Sequence, residues 1–394
     1  MAAQAKEVLK NKMQVQEASM SRSRKKVTIR YAVAGILLLI LGSAADCTLI
    51  SESKIGQPAA PEDQNLLEVL RGLHFDQYLT SPQFEPLHSA SSGWEVYTYR
   101  TDQLRCILGG EYFLMVRRGT ETSKTVIWLE GGGACWPGRD DCTKEAQFGS
   151  WIEAYGLASP DDRNPVRTWN FIYVPYCDGS IHLGDSQADY DGDGIIDHWH
   201  WGLKSTSAAV RLGGELFPDS QQILIAGCSA GGGGTLGAAP VTRLAFPEAR
   251  LYVLNISGSG LVNPAMAEAR DLMEETWNIG QFIPGDCPRC SEQFIYLYDW
   301  LLERDPRLKV GMFSSFYDAT VRTGWGMAPE AFRSLIVGTT DAIQTDHPET
   351  FERFFVNGEM HCISDYGYTV EGISLWDWIG YLVADDPRWI DLLD

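Results

Sequence analysis

Basic residues are scarce in this 394-residue chain: 32 Lys and Arg stand against 52 Asp and Glu, a formal charge of −20. Residues 1–45 hold 8 of those cations and only 2 of the acids, so the remainder carries a formal charge of −26. So acidic a surface repels polyphosphate and anionic headgroups, which excludes nucleic acid and an anionic membrane face as partners. Long apolar runs are missing too. The run from Tyr31 to Leu41 falls short of the roughly 20 residues that a spanning helix needs. Neither GxxxxGK[ST] nor a well-placed GxGxxG occurs, so the glycines do not form a common phosphate-cradling loop. No repeat or low-complexity tract interrupts the chain, which leaves a globular domain.

Residues 1–45 differ in character from the rest of the chain. Arg22, Arg24, Lys25, Lys26 and Arg30 precede or enter the apolar run, and Gly42-Ser43-Ala44-Ala45 comes after it. A basic stretch, a short apolar core and small residues before a cut site describe a secretory signal peptide. Cleavage is expected after Ala45, and Met20 opens a segment of conventional length; an uncleaved N-terminal anchor is the alternative. Either way the rest of the chain is expected outside the cytoplasm, secreted or periplasmic. Eight of the nine cysteines lie beyond Cys47, and in an exported chain they read as disulfides rather than zinc ligands. Cys135 can close a loop onto Cys142, and Cys287 a smaller one onto Cys290; Cys228 is expected as a buried free thiol.

From about Trp94 onward, strand-like and helical stretches alternate. Strands are expected over 111–117, 125–129, 171–174, 223–226, 251–255 and 308–313, and helices over 205–214, 265–277 and 294–303. Such alternation builds an α/β fold, a mostly parallel sheet with helices on both faces. The expected division is a signal peptide or anchor over 1–45, a loop-rich segment over 46–95 with one helix near 65–71, and a single catalytic domain over 96–394.

The run at 223–226 leads straight into Gly227-Cys228-Ser229-Ala230-Gly231. G-x-S-x-G after a strand is the nucleophile elbow of α/β-hydrolases: only small neighbours let the chain turn tightly enough to expose a serine oxygen. Ser229 is the expected nucleophile. On such a sheet an acid and then a histidine come next in chain order. Of seven histidines only His347 and His361 come late enough; His347 reads as a surface residue, so His361 is the expected base. Asp318, at the end of an apolar strand, is the expected acid; Asp299, Asp305, Asp341 and Asp346 read as solvated carboxylates. Val126-Ile-Trp-Leu-Glu130 runs into Gly131-Gly132-Gly133-Ala134-Cys135-Trp136, a glycine loop able to bring one backbone N–H to an oxyanion, with Ala230 supplying another. Glu130 is expected to brace the loop, and Trp136 to line the substrate pocket or fill the core.

These pieces, with Cys106-Ile-Leu-Gly-Gly-Glu-Tyr112, Tyr176-Cys-Asp-Gly179, Tyr317-Asp318 and His361-Cys362, resemble the pectin acetylesterase/Notum family of serine carboxylic ester hydrolases. The resemblance spans about residues 100–365. It implies an α/β-hydrolase-like esterase domain, triad roles for Ser229, Asp318 and His361, and oxyanion donors at Gly132, Gly133 and Ala230. No cofactor is implied for catalysis. There are two departures. Where the family usually has an aromatic after LEGG or LEGGG, this chain has Gly133-Ala134 and carries its tryptophan at 136. The other departure is an Asp-rich insert over 185–200.

Within that insert, Asp189, Asp191, Asp193, the carbonyl of Ile195, and Asp197 fall at positions 1, 3, 5, 7 and 9 of an EF-hand-type loop, with Gly194 at position 6. Position 12 is His200 instead of a bidentate Glu. A structural Ca2+ is expected there. The leading functional expectation is an exported serine esterase acting on short, acetyl-type esters of a polysaccharide or similar substrate, with no obligate protein partner. A Notum-like lipid-ester or protein deacylase is the second. The third is a calcium-dependent glycan-binding protein on an inactive scaffold, using Trp199 and Trp201 for stacking.

Overall fold

Ile223-Leu224-Ile225-Ala226 is apolar at every position, a pattern suited to a strand covered on both faces. A computed structural model describes residues 66–80, 87–91, 93–149, 151–154, 156–363 and 367–394 and puts such runs in one ten-stranded sheet. The segment expected as signal peptide lies outside the described residues, all of which belong to one unit, 61–394. The sheet begins with β1 (Leu87–Ser91), β2 (Trp94–Tyr99) and β3 (Tyr112–Arg117). After β4 (Glu121–Leu129), β5 (Gly133–Trp136) and β6 (Arg139–Cys142) form a separate antiparallel hairpin. β7 (Trp169–Val174) returns to the main sheet, and β8 (Ser186–Ala188) and β9 (His198–His200) make a second small hairpin. β10 (Gln222–Cys228), β11 (Arg250–Ile256), β12 (Leu308–Ser315), β13 (Phe351–Val356) and β14 (Leu392–Leu393) complete the set. The order is β1-β2-β3-β7-β4-β10-β11-β12-β13-β14, antiparallel as far as β7 and parallel beyond it.

Successive side chains of a strand point to opposite faces, and two cores result. Ile223, Ile225, Leu251, Val253, Val310 and Met312 pack on one face. Helices on that face include α1 (Leu66–Gly72), α2 (Gly202–Leu216), α3 (Ala230–Ala245), α4 (Ala267–Trp277) and α5 (Tyr296–Leu302). Leu224, Ala226, Tyr252, Leu254, Phe313 and Phe354 pack on the other. After α6 (Ala319–Gly324) and α7 (Pro329–Asp346), helix α8 (Leu375–Val383) covers that second face with Leu375, Trp378 and Leu382. Among the described residues no helix is long and apolar enough to cross a membrane.

Two expectations need correction. The boundary set between 95 and 96 falls inside β2, whose Trp94, Tyr97 and Tyr99 are buried; Leu70 and Phe75 also belong to the core. The stretch before 96 is thus partly integral to the sheet and its cover, because its apolar side chains close one end. Cys228 is not a free thiol: it is bonded to Cys362. Cys135–Cys142 and Cys287–Cys290 pair as expected, and Cys106–Cys177 is the fourth disulfide.

Candidate active site

Ser229 stands between the end of β10 and the start of α3 with φ 58° and ψ −121°, a left-handed conformation costly for a non-glycine residue. Its neighbours hold it there. The Ser229 N–H donates to the Ile256 carbonyl at 2.9 Å, and the Gly233 N–H donates to the Ser229 carbonyl at 3.0 Å. A Cβ at Gly227 would lie 2.4 Å from the Gly231 carbonyl, and one at Gly231 would lie 2.0 Å from the Leu129 oxygen. Only glycine fits these two positions, and this close approach gives the turn its sharpness.

The residues expected as acid and base arrive from neighbouring strands. Asp318 comes directly after β12 and caps α6: its Oδ1 accepts the N–H groups of Thr320 and Val321, each at 3.0 Å. Its Oδ2 lies 2.8 Å from His361 Nδ1, and the carboxylate is fully buried. His361 comes from the loop after β13. With Nδ1 turned to Asp318, Nε2 is left for other chemistry. Ser229 and His361 line the same cleft, together with Gly131, Gly132 and Gly133 after β4. All four contributors therefore come from the carboxyl edge of the parallel strands, where open α/β sheets present their sites.

The glycine loop is pressed against the elbow, for a Cβ at Gly131 would lie 2.9 Å from Ser229 Cβ. The Gly132 carbonyl accepts the Thr143 N–H at 2.7 Å, so the trans peptide turns the Gly133 N–H the opposite way. The Gly133 carbonyl accepts the Tyr176 hydroxyl at 2.8 Å, and that hydroxyl accepts the Ile181 N–H at 3.1 Å. Ala230 opens α3, so its N–H has no acceptor within the helix and sits at the positive end of the helix dipole. Glu130 accepts the Tyr176 N–H at 3.1 Å, the bracing role expected of it, and burial raises its pKa. Beneath the loop, the His182 ring Nε2 lies 2.8 Å from the Glu130 carbonyl; burial lowers the pKa of this imidazole. Tyr176 and His182 hold backbone carbonyls, a role that no spacing in the sequence announces. The one hint was the Tyr176-Cys-Asp-Gly179 segment.

The cleft measures about 770 Å³ and adjoins a second space of about 830 Å³ that shares Ser229 and His361. Trp136 lines that second space and is also largely buried. Its ring stacks on Trp325 at 6.0 Å and meets Trp277 edge-on at 5.9 Å. Leu261, Val262, Met273 and Phe294 complete an apolar wall.

Several rival residues are engaged elsewhere. His347 is not a surface residue: it is mostly buried, with Nε2 3.1 Å from Asp299. Asp299 also pairs with Arg289, and Asp305 forms a two-pronged buried ion pair with Arg243 at 2.7 and 3.1 Å. Neither carboxylate is solvated as expected, because distant segments bring a cation to each. Asp341 does keep an exposed carboxylate, paired with Arg353, and Asp346 is exposed. Arg105 lies over both Trp199 and Trp201, at 4.8 and 5.0 Å, and Lys204 over Trp201 at 3.8 Å; these rings are taken up by cations.

In the insert, one carboxylate oxygen each of Asp189, Asp191 and Asp197 lies within 4.8 Å of the others. Three converging hard oxygens suit a hard divalent cation. Asp193 does not join them; its carboxylate accepts the Ile195 N–H at 2.8 Å. His200 is buried against the Tyr190 hydroxyl and the Asp178 carbonyl, at 2.8 and 3.0 Å, and burial lowers its pKa to about 4. It anchors the loop and offers no nitrogen to an ion.

Residues 98–279 match the family model described as Pectinacetylesterase. The matched stretch holds the glycine loop and Ser229 and stops short of Asp318 and His361.

Proposed function

Because this chain belongs to the pectin acetylesterase/Notum family and is a hydrolase of carboxylic esters, we propose that it is an exported serine esterase removing short acyl groups, acetyl first, from a polysaccharide ester. The observation that carries the reading is the 2.8 Å contact between His361 Nδ1 and Asp318, at the cleft that Ser229 lines. His361 Nε2 takes the Ser229 hydroxyl proton as Oγ attacks the acyl carbon. The carbonyl electrons move onto oxygen, which the N–H groups of Gly132, Gly133 and Ala230 receive. Collapse breaks the bond to the alcohol oxygen, and that oxygen takes the proton from His361. Water repeats the sequence on the acyl-serine and releases the acid.

The apolar wall of Trp136, Leu261, Val262, Met273, Phe294 and Trp325 favours one second reading, a Notum-like deacylase of longer acyl chains. Hydrolysis of 4-nitrophenyl acetate, butyrate, octanoate and decanoate, beside Ser229→Ala, separates the two. Rates falling with chain length support the acetylesterase; rates rising with it support the deacylase. Turnover that survives Ser229→Ala sinks both.

We further propose that Asp189, Asp191 and Asp197 hold a structural Ca2+, with water completing the shell. Saturating calcium at about 100 times Kd should stabilise the fold by about 2.7 kcal/mol over chelator. A melting temperature that calcium leaves unmoved, or raises equally in Asp189→Ala/Asp197→Ala, contradicts this.

A further inference from the structure

We propose that the cleft selects esters on uncharged glycans and discriminates against acylated polyuronates, with Asp140 and Asp141 as the specificity-determining residues. The inference rests on the reading of Ser229 as nucleophile. Both carboxylates sit on the β5–β6 hairpin and line the cleft as well as the adjoining apolar space.

Their ion pairs do not hide them, because each pair is built with its cation inside. The Asp141 side chain is 84% exposed, against 24% for Arg139, 3.6 Å away. Arg139 is held down by the Gly324 carbonyl at 2.7 Å and by the Trp136 ring at 4.8 Å. Asp140 is 72% exposed while its partner Lys144 is 30% exposed. The same order recurs beside the base: Glu359 is 60% exposed, and Arg322, which also donates to the Tyr317 carbonyl, is 18% exposed.

What a ligand meets at this rim is therefore oxygen. Among the described residues lining the two spaces, Arg139 is the one cation besides the titratable His361, and it is already committed. A polyuronate lays a carboxylate on every sugar beside the ester to be cleaved. No cation among those lining residues is free to receive such charges, and like-charge juxtaposition is how an interface rejects a wrong partner.

The test compares kcat/KM of the chain on acetylated glucomannan and on acetylated polygalacturonate of matched acetyl content, at low and high salt. At low salt the uronate polymer should be disfavoured by about tenfold, and screening by salt should narrow the gap. In Asp140→Asn/Asp141→Asn the ratio should move toward unity. Equal or better turnover of the uronate polymer at low salt overturns the inference, as does a gap that neither salt nor the double variant narrows. Ser229→Ala and 4-nitrophenyl acetate run alongside: absence of Ser229-dependent turnover of any ester overturns the esterase reading itself, and this one with it.

Discussion

The two oxygens of Asp318 are divided between the start of a helix and an imidazole. Oδ1 fixes the carboxylate through two backbone N–H groups, and Oδ2 fixes the tautomer and tilt of His361. Asp318→Asn keeps a capping oxygen and loses the charge, so the fold should survive with its melting temperature little changed while kcat on 4-nitrophenyl acetate falls by about 10³- to 10⁴-fold. A loss below tenfold would remove Asp318 from the proposed triad. Tyr176→Phe removes the hydroxyl that joins the Gly133 carbonyl to the Ile181 N–H. It should cost roughly 1–3 kcal/mol of stability and lower kcat more than it changes KM, because the loop it holds carries the proposed oxyanion donors. Kinetics and a denaturant melt of the variant check both. That Ser229 and His361 share one cleft, with Asp318 bonded to His361, was legible in the sequence because a motif and a chain order announce it. Tyr176 and His182 were not, since a side chain bonded to a backbone carbonyl leaves no mark on residue spacing. His347 and Asp299 misled for a related reason: each is buried by a partner dozens of residues away.

Among elements, the disulfide between Cys228 and Cys362 links the residue before Ser229 to the residue after His361. It spans 134 residues of chain, a closure worth on the order of 4 kcal/mol. It also ties the His361 loop to the elbow, and the Cys362 N–H donates to Ser257 Oγ at 3.2 Å beside it. Cys228→Ala/Cys362→Ala should therefore lower the melting temperature and reduce kcat by about tenfold, the ordinary cost of loosening a catalytic geometry. Unchanged kinetics in a folded variant would make the bond purely structural. The expected strands of the parallel half are all found, each two to four residues longer than read because the apolar runs are long; the helix read over 205–214 is longer too, at Gly202–Leu216, while those read over 265–277 and 294–303 are shorter, at Ala267–Trp277 and Tyr296–Leu302. β1 and β2 were missed: they lie at the antiparallel edge, where Ser, Gly and charged residues interrupt the pattern. The Cys228–Cys362 link was also hidden, for connectivity over such a distance depends on the fold and not on spacing.

Across the molecule, the acidic balance and buried ionisable groups set the response to pH. Burial, helped by the nearby charge of Asp391, pushes the Glu352 carboxyl up to about 8. A carboxyl raised in the folded state holds its proton there after the unfolded chain has lost it. Stability from this group is thus highest below the unfolded value of 4.5, falls as pH rises, and is fully lost above about 8. Glu352→Gln should flatten that decline and raise stability at pH 9 by on the order of 2 kcal/mol, measured by denaturant melts at pH 5 and pH 9. A decline as steep as in the parent protein would assign it to other groups. Acyl transfer through Ser229 is tested by mixing the chain with 4-nitrophenyl acetate, quenching with acid within one turnover, and mapping acetyl groups by peptide mass spectrometry. Acetyl on the peptide containing Ser229, absent in Ser229→Ala, is the predicted result. Ester turnover with no acetyl on Ser229 at any quench time, even when His361→Ala slows deacylation, would rule out Ser229 as the nucleophile.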